Sequence, residues 1–212
     1  MPPRFAPRPA RRLGAASRAA RLGAAVLVVA VLGGCGGDGQ VGRLDAEGQA
    51  DYVSGSGTVT TIAPAEREPA PAFSGPLLDG GSFDLGEARG DVVVINVWGS
   101  WCPPCRAEAR DMQAVYEDLR SRGVRFVGVN IKDTEHNARA FLAEFGVTYP
   151  TVYDEIGERM LAFSDTLPPT AVPSTLVVDR QGRMAARVLG QISERSLADL
   201  VEPIAAEDAS AA

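Results

Sequence analysis

Residues 91–108 read DVVVINVWGSWCPPCRAE, and the fold turns on how the two halves of that stretch join. The first half, DVVVINVW (91–98), is a nearly continuous β-branched run, which suits a central strand buried on both faces. The second half carries Cys102 and Cys105 on either side of two prolines, with Trp101 before them and Glu108 one helical turn beyond Cys105. A strand running into a helix at this point sets Cys102 at the helix mouth. There its sulfur meets unpaired backbone N–H groups and the positive end of the helix dipole, and both favour thiolate over thiol. Thiolate is the attacking species in disulfide exchange. Cys105, one turn on, is close enough to close a ring with Cys102 and release a mixed disulfide. Cys102 therefore reads as nucleophile and Cys105 as resolver. Pro103 and Pro104 pre-set φ for a first helical turn, but neither has an N–H to donate to the thiolate. The milder stabilisation of the reduced form points toward a reductant rather than a strong oxidant.

Trp101, Cys105, Glu108, Met112, Val115 and Leu119 are spaced by 4, 3, 4, 3 and 4, the inward stripe of an amphipathic helix. A carboxylate on that stripe costs free energy unless it is paired or protonated. Burial should raise its pKa, which suits Glu108 to acid/base work beside the cysteines. The competing reading is an exposed Glu108, or one paired with Arg106 or Arg110. A zinc site is the weaker reading of the cysteines: it wants four ligands, there is no second cysteine pair, and His136 is the only histidine. A purely structural bridge between residues three apart closes too small a loop to stabilise much.

Outward from the motif, residues 103–121 and roughly 134–145 read as helices, and GVRFVGVNI (123–131) as a second buried strand. A short strand near 150–153 and a short helix near 156–163 follow. STLVVD (174–179) and MAARVLG (184–190) read as strands joined by a turn at 180–183, with a last helix over 193–205. Upstream, FSGPLLDGGSFDL looks like a hairpin turning at Asp79-Gly80-Gly81. YVSGSGTVTTI (52–62) has strand character and the look of a small hairpin. The expected class is α/β, a mixed central sheet flanked by helices with an extra N-terminal β-hairpin.

The N-terminus carries an address. Residues 1–34 hold six arginines and no acid, and include AAVLVVAVL (24–32). Nine apolar residues are too few to span a bilayer, but they suit the core of a secretory signal peptide. Leu32-Gly33-Gly34-Cys35 resembles the bacterial lipoprotein signal, which implies cleavage before Cys35 and a lipid on its sulfur. Two acyl chains suit stable anchoring, whereas one chain binds only marginally. The expected organisation is a lipoprotein signal peptide at 1–34, a lipid-anchored flexible linker at 35–72, a folded domain at 73–205 and a disordered tail at 206–212. Without residues 1–34 the chain has 15 basic and 27 acidic side chains, a net of about −12, which argues against nucleic-acid binding.

Trp101-Cys102-Pro103-Pro104-Cys105 after a buried strand resembles the thioredoxin superfamily, and the details are closer to the extracytoplasmic TlpA/ResA-like thiol-disulfide oxidoreductases. INVWGSWCPPCRAE matches their active-site block, and Glu108 falls where that family carries its acidic residue. FLAEFGVTYPTVYD (141–154) and AVPSTLVVDRQGR (171–183) match later blocks. The likeness covers about residues 73–203. It implies a thioredoxin-like fold and a cis bond between Val172 and Pro173 in a loop facing Cys102, with Val172 backbone groups left to pair with an extended substrate. Trp101 would shield the sulfurs or touch partners. No metal or organic cofactor is implied. The implied partners are disulfide-containing envelope proteins, apocytochrome c among them, and a membrane thiol donor of electrons. The implied location is the outer face of the cell membrane, held by the lipid on Cys35. Two other readings stay open: a dithiol oxidase that inserts disulfides, and a non-catalytic lipoprotein that binds an envelope partner. One departure stands out. Thioredoxins often carry a helix-kinking proline five residues after the second cysteine, and here that residue is Arg110.

Overall fold

The structure is a computed structural model, and it describes residues 51–52 and 57–207. The expected signal peptide at 1–34 and the anchor residue Cys35 lie outside the described residues. No helix among the described residues is long and apolar enough to cross a membrane.

A seven-stranded sheet forms the centre, in the order β1 (Asp51–Tyr52), β2 (Thr58–Thr61), β9 (Met184–Leu189), β8 (Ser174–Val178), β5 (Val92–Trp98), β6 (Val124–Ile131) and β7 (Thr151–Asp154). Its middle is β5 (Val92–Trp98), parallel to β6 (Val124–Ile131) and antiparallel to β8 (Ser174–Val178). β7 (Thr151–Asp154) extends the parallel side, and β9 (Met184–Leu189) extends the antiparallel side. Every residue of β5 is buried, as its β-branched run predicts. The strand's period of two divides its side chains between two apolar clusters. Val92, Val94 and Trp98 meet the three helices α1 (Pro103–Leu119), α2 (Glu135–Phe145) and α3 (Glu194–Ala205). Val93, Ile95 and Val97 face the opposite cluster, where Phe73, Leu85, Met160 and Phe163 close the core. That second face is covered by 3₁₀ turns at Leu85–Ala88 and Arg159–Phe163 rather than by long helices.

The hairpin turning at Asp79-Gly80-Gly81 is present as β3 (Ser74–Pro76) and β4 (Ser82–Asp84). Its turn works because Gly80 and Gly81 take φ of 98° and 79°, where a Cβ is penalised. The Leu78 amide then donates to the Thr151 carbonyl and docks the hairpin beside β7.

The ordered chain begins well before Phe73. β2 (Thr58–Thr61) pairs antiparallel with β9 along its length, and β1 (Asp51–Tyr52) adds to it. Residues 51–52 and 58–61 of the segment expected to be a flexible linker are therefore strands of the sheet. The four residues of β2, TVTT, are all only partly buried, so the strand carries little apolar signal. Residues 68–70 run along the β8–β9 turn, with Met184 N donating to Glu68 O and Ala70 N to Gly182 O. Arg67 anchors this path from inside. Its guanidinium donates to Asp179 at 3.2 Å and, through two nitrogens, to Glu207 at 2.6 and 2.8 Å. Glu207 lies in the stretch expected to be a disordered tail, so the chain stays packed to at least this residue. The reason is a bidentate ion pair that composition alone does not announce.

Breaking a buried ion pair from one side leaves the partner charge uncompensated. Arg67→Ala should lower stability by about 2–4 kcal/mol in urea titration. Glu207→Gln should cost less, because the Glu207 side chain is 34% exposed and water can partly replace the partner.

Candidate active site

Strand β5 ends at Trp98, and the chain must turn within four residues to start α1 at Pro103. Gly99 makes the turn tight: a Cβ built there would lie 2.5 Å from the Trp101 ring, so the indole lies over the glycine. Asp133, in the loop after β6, clamps the turn. Its carboxylate accepts from Ser100 N at 2.7 Å, Ser100 Oγ at 2.9 Å, Asn130 Nδ2 at 3.0 Å and Thr134 N at 2.9 Å. Burial alone would push Asp133 up, but these donors outweigh it and hold the carboxyl below its usual range. The Trp101 indole N–H donates to Lys132 O at 2.9 Å, which pins the ring while leaving half of it exposed.

Cys102 is the N-cap of α1, and its Sγ accepts from Cys105 N at 3.2 Å. With prolines at the next two positions, the Cys105 amide is the first N–H the helix has to offer. Cys102 and Cys105 are joined as a disulfide, with Cα atoms 5.3 Å apart, and both are buried. The Val172–Pro173 bond is cis. Ser174, the next residue, pairs with Val97 near the end of β5, which brings this loop beside the turn that leads to Cys102. Gly190 N donates to Pro173 O and Ser174 Oγ to Ala171 O, so the loop is held on both sides.

Glu108 is buried to 1% exposure, on the same helix stripe as Cys105 and Met112. Its two oxygens have different partners. Oε1 accepts from Asn96 Nδ2 at 3.0 Å, and Oε2 accepts from the backbone N–H of Ile192 at 3.0 Å. Burial raises its pKa from 4.5 to about 8, opposed by those two donors and assisted by the charge of Asp111. Neither arginine neutralises it. Arg106 pairs with Glu144 and stacks over Phe145, and Arg110 donates to the Glu144 carbonyl, both toward α2. The helix runs unbroken through Arg110. His136 is exposed, and no cluster of three metal-ligating side chains occurs among the described residues.

Asn96, Asp133 and Thr175 escaped the motif reading. Asn96 had a signal: it is the one polar residue in the row Val92, Val94, Asn96, Trp98 that faces the helices. Asp133 and Thr175 had none, since their roles come from strands and loops distant in the chain.

A buried cysteine pair at a helix mouth, a cis-proline loop beside it and a carboxyl one turn behind form a dithiol/disulfide centre. The Redoxin family model matches residues 65–202. The chain belongs to the Redoxin family. Within it, the chain resembles two curated proteins in particular. It is 33% identical to the thiol:disulfide interchange protein HelX of Rhodobacter capsulatus, over 68% of this chain and 75% of that one. It is 30% identical to the thiol-disulfide oxidoreductase ResA of Geobacillus thermodenitrificans, over 64% of this chain and 75% of that one. Among solved structures, a DsbF homologue from Corynebacterium diphtheriae superposes with a TM-score of 0.65 at 31% identity, covering 73% of this chain and 98% of that one. A secreted thiol-disulfide isomerase from Corynebacterium glutamicum gives a TM-score of 0.67 at 27% identity, covering 80% and 100%. This Redoxin protein has the thioredoxin-like fold and is a TlpA/ResA-like protein-disulfide oxidoreductase.

Two outcomes follow. A group whose folded pKa is raised stabilises the fold at low pH, and that contribution disappears as pH climbs through the folded value. Glu108 should therefore contribute fully below about pH 4.5 and progressively less up to about pH 8. Compared with Glu108→Gln in urea titrations, the wild-type oxidised protein should lose on the order of 4 kcal/mol across that window. Asp133→Ala removes the acceptor of four hydrogen bonds and should cost about 2–4 kcal/mol, with a red shift in Trp101 emission as the clamp opens.

Proposed function

We propose that this protein is a disulfide reductase working outside the cytoplasm, tethered by a lipid on Cys35, with Cys102 as nucleophile, Cys105 as resolver and Glu108 as proton acceptor. The observation that carries the reading is the Cys105 N–H aimed at Cys102 Sγ at the mouth of α1. A donor placed there stabilises sulfur as thiolate.

In the reduced protein, the Cys102 thiolate attacks one sulfur of a substrate disulfide. A mixed disulfide forms and the first substrate sulfur leaves as thiolate. The Cys105 thiol passes its proton toward Glu108 and attacks Cys102 Sγ. The second substrate sulfur leaves, and the Cys102–Cys105 disulfide remains. Two electrons have moved to the substrate, and both released thiolates take protons. A carboxyl with a pKa near 8 suits this exchange, because it lies close to that of the thiol it must deprotonate. Val172 and Pro173 would cradle an extended substrate segment beside Cys102, with exposed Trp101 and Ile156 adding apolar contact at the rim of the neighbouring groove. The substrates are disulfide-containing envelope proteins, apocytochrome c among them, and electrons return from a membrane dithiol donor. The HelX and ResA relatives are named for thiol-disulfide chemistry, which supports the exchange reaction, and the secreted thiol-disulfide isomerase of Corynebacterium glutamicum supports a location outside the cytoplasm.

Cys102→Ser should abolish insulin-disulfide reduction, and Cys105→Ala should accumulate a mixed disulfide with envelope proteins. A reduction potential near thioredoxin's, about −270 mV, is expected; a value near −120 mV would make the protein an oxidase instead. Insulin reduction that survives Cys102→Ser would return the chain to a non-catalytic binding role. Metabolic labelling with a radioactive fatty acid, lost in Cys35→Ser, tests the anchor.

A further inference from the structure

Glu108 has an uneven pair of hydrogen bonds, and the unevenness has chemical consequences. Oε2 faces the backbone N–H of Ile192, which can only donate. Oε1 faces the side-chain amide of Asn96, which carries a donor at one end and an acceptor at the other. An ionised Glu108 is content with both. A protonated Glu108 must place an O–H on one oxygen. On Oε2 that hydrogen would point at another donor. On Oε1 it finds a partner as soon as the Asn96 amide rotates about its last bond and presents its carbonyl.

The other neighbour of Asn96 allows the rotation. Thr175 Oγ1 lies 3.4 Å from Asn96 Nδ2, and Asn96 and Thr175 are directly opposed in the β5–β8 register. A hydroxyl accepts from the amide nitrogen in one orientation and donates to the amide oxygen in the other. Asn96, Glu108 and Thr175 are all buried, so bulk water does not substitute for either partner. Thr175 also lies two residues after Pro173, which links the carboxyl to the loop beside the cysteines.

We propose that Asn96 is the positioning residue for proton uptake at Glu108: its amide donates to the carboxylate, turns over to accept from the protonated carboxyl, and keeps Thr175 as partner in both states. The proton leaves the Cys105 sulfur as that sulfur attacks Cys102, and arrives on Oε1. No oxidant or reductant beyond the dithiol and the substrate disulfide is needed. The charged and titratable groups facing Glu108 are Asp111 on its own helix and Tyr149 from the segment ahead of β7, with Cys105 one turn before it. Strands β5 and β8 and the turn before α3 face it with the uncharged groups of Asn96, Thr175 and Ile192.

The proposal rests on Glu108 being the proton acceptor, and Glu108→Gln separates the two ideas. A glutamine there must accept from Ile192 with its oxygen and offer its NH₂ to Asn96, so Asn96 is locked with its carbonyl forward. In the full-length wild-type protein, the Asn96 side-chain ¹⁵N–¹H₂ signals should titrate with the same midpoint as the Glu108 carboxyl carbon. In Glu108→Gln they should stay at their low-pH positions throughout. Asn96 signals that stay flat through the Glu108 titration, or that hold their high-pH positions in Glu108→Gln, overturn the proposal. Kinetics supply the second arm, with insulin as substrate from pH 5 to 9. Asn96→Ala removes a donor to the carboxylate and should raise the midpoint of the pH–rate profile by about one pH unit. Thr175→Val should raise it by less, and Thr175→Ser should restore it. An equal loss of rate at every pH would assign Asn96 a packing role and sink the idea. If Glu108→Gln leaves the pH profile unchanged, the acid/base role of Glu108 falls and the Asn96 role falls with it. If Glu108→Gln alters the profile and the asparagine variants do not, only the Asn96 role falls.

Discussion

The constraint on which the site depends is the complete burial of β5. A strand covered on both faces cannot drift in register or depth, so the point where it stops is set by the whole sheet. Trp98 is the last residue of that strand, and the turn of Gly99, Ser100 and Trp101 delivers Cys102 to the start of α1. Asp133 ties the turn to the loop after β6, the strand that lies parallel beside β5. The cysteine sulfur is thus positioned by two neighbouring strand ends, and the helix behind it supplies the N–H that faces it. The two prolines concentrate this effect. They withhold their own donors, so the Cys105 amide is the one that meets the sulfur.

The same helix carries the second chemical group inward. A carboxyl on the buried stripe of α1 is a costly choice in purely structural terms. Asn96 and Ile192 lessen that cost for the charged form, while burial favours the neutral form. Burial outweighs the two donors, and the net rise to about 8 places Glu108 near the pH where a thiol also exchanges its proton. A leucine at this position would pack better and could do none of this chemistry.

Around this centre the segments that flank the core, near residues 58–67 and at Glu207, are stitched to the sheet. β2 covers the outer edge of β9, and Arg67 reaches Asp179 in the β8–β9 turn and Glu207 after α3. Three segments far apart in sequence meet at one guanidinium. Arginine suits the role because its planar fork binds a carboxylate through two nitrogens at once. The edge strand also leaves fewer open backbone groups on the antiparallel side of the sheet.

Much of this was legible in the chain before it folded. The unbroken β-branched run, the cysteine pair and the 4-3-4 stripe to Glu108 each report a local period, and local periods survive in sequence. They specify a buried strand, a helix mouth and an inward carboxyl, and the α/β class follows from the alternation downstream. What was missed has one cause in common. β2 lies in a stretch assigned to the linker although its own residues show strand character, because the partner that holds it, β9, lies far along the chain. Arg67 and Glu207 fall in the stretches assigned to linker and tail, because neither shows its partner until the chain folds. Asn96 reads as an interruption in a strand until Glu108 is found above it. By itself, the sequence determined the elements and the reactive pair, because neighbours along the chain dictate them. Only the tertiary structure decided which polar groups meet across β5, β8, α1 and the turn before α3, because hydrogen-bond partners separated by 12 to 84 residues share no local pattern.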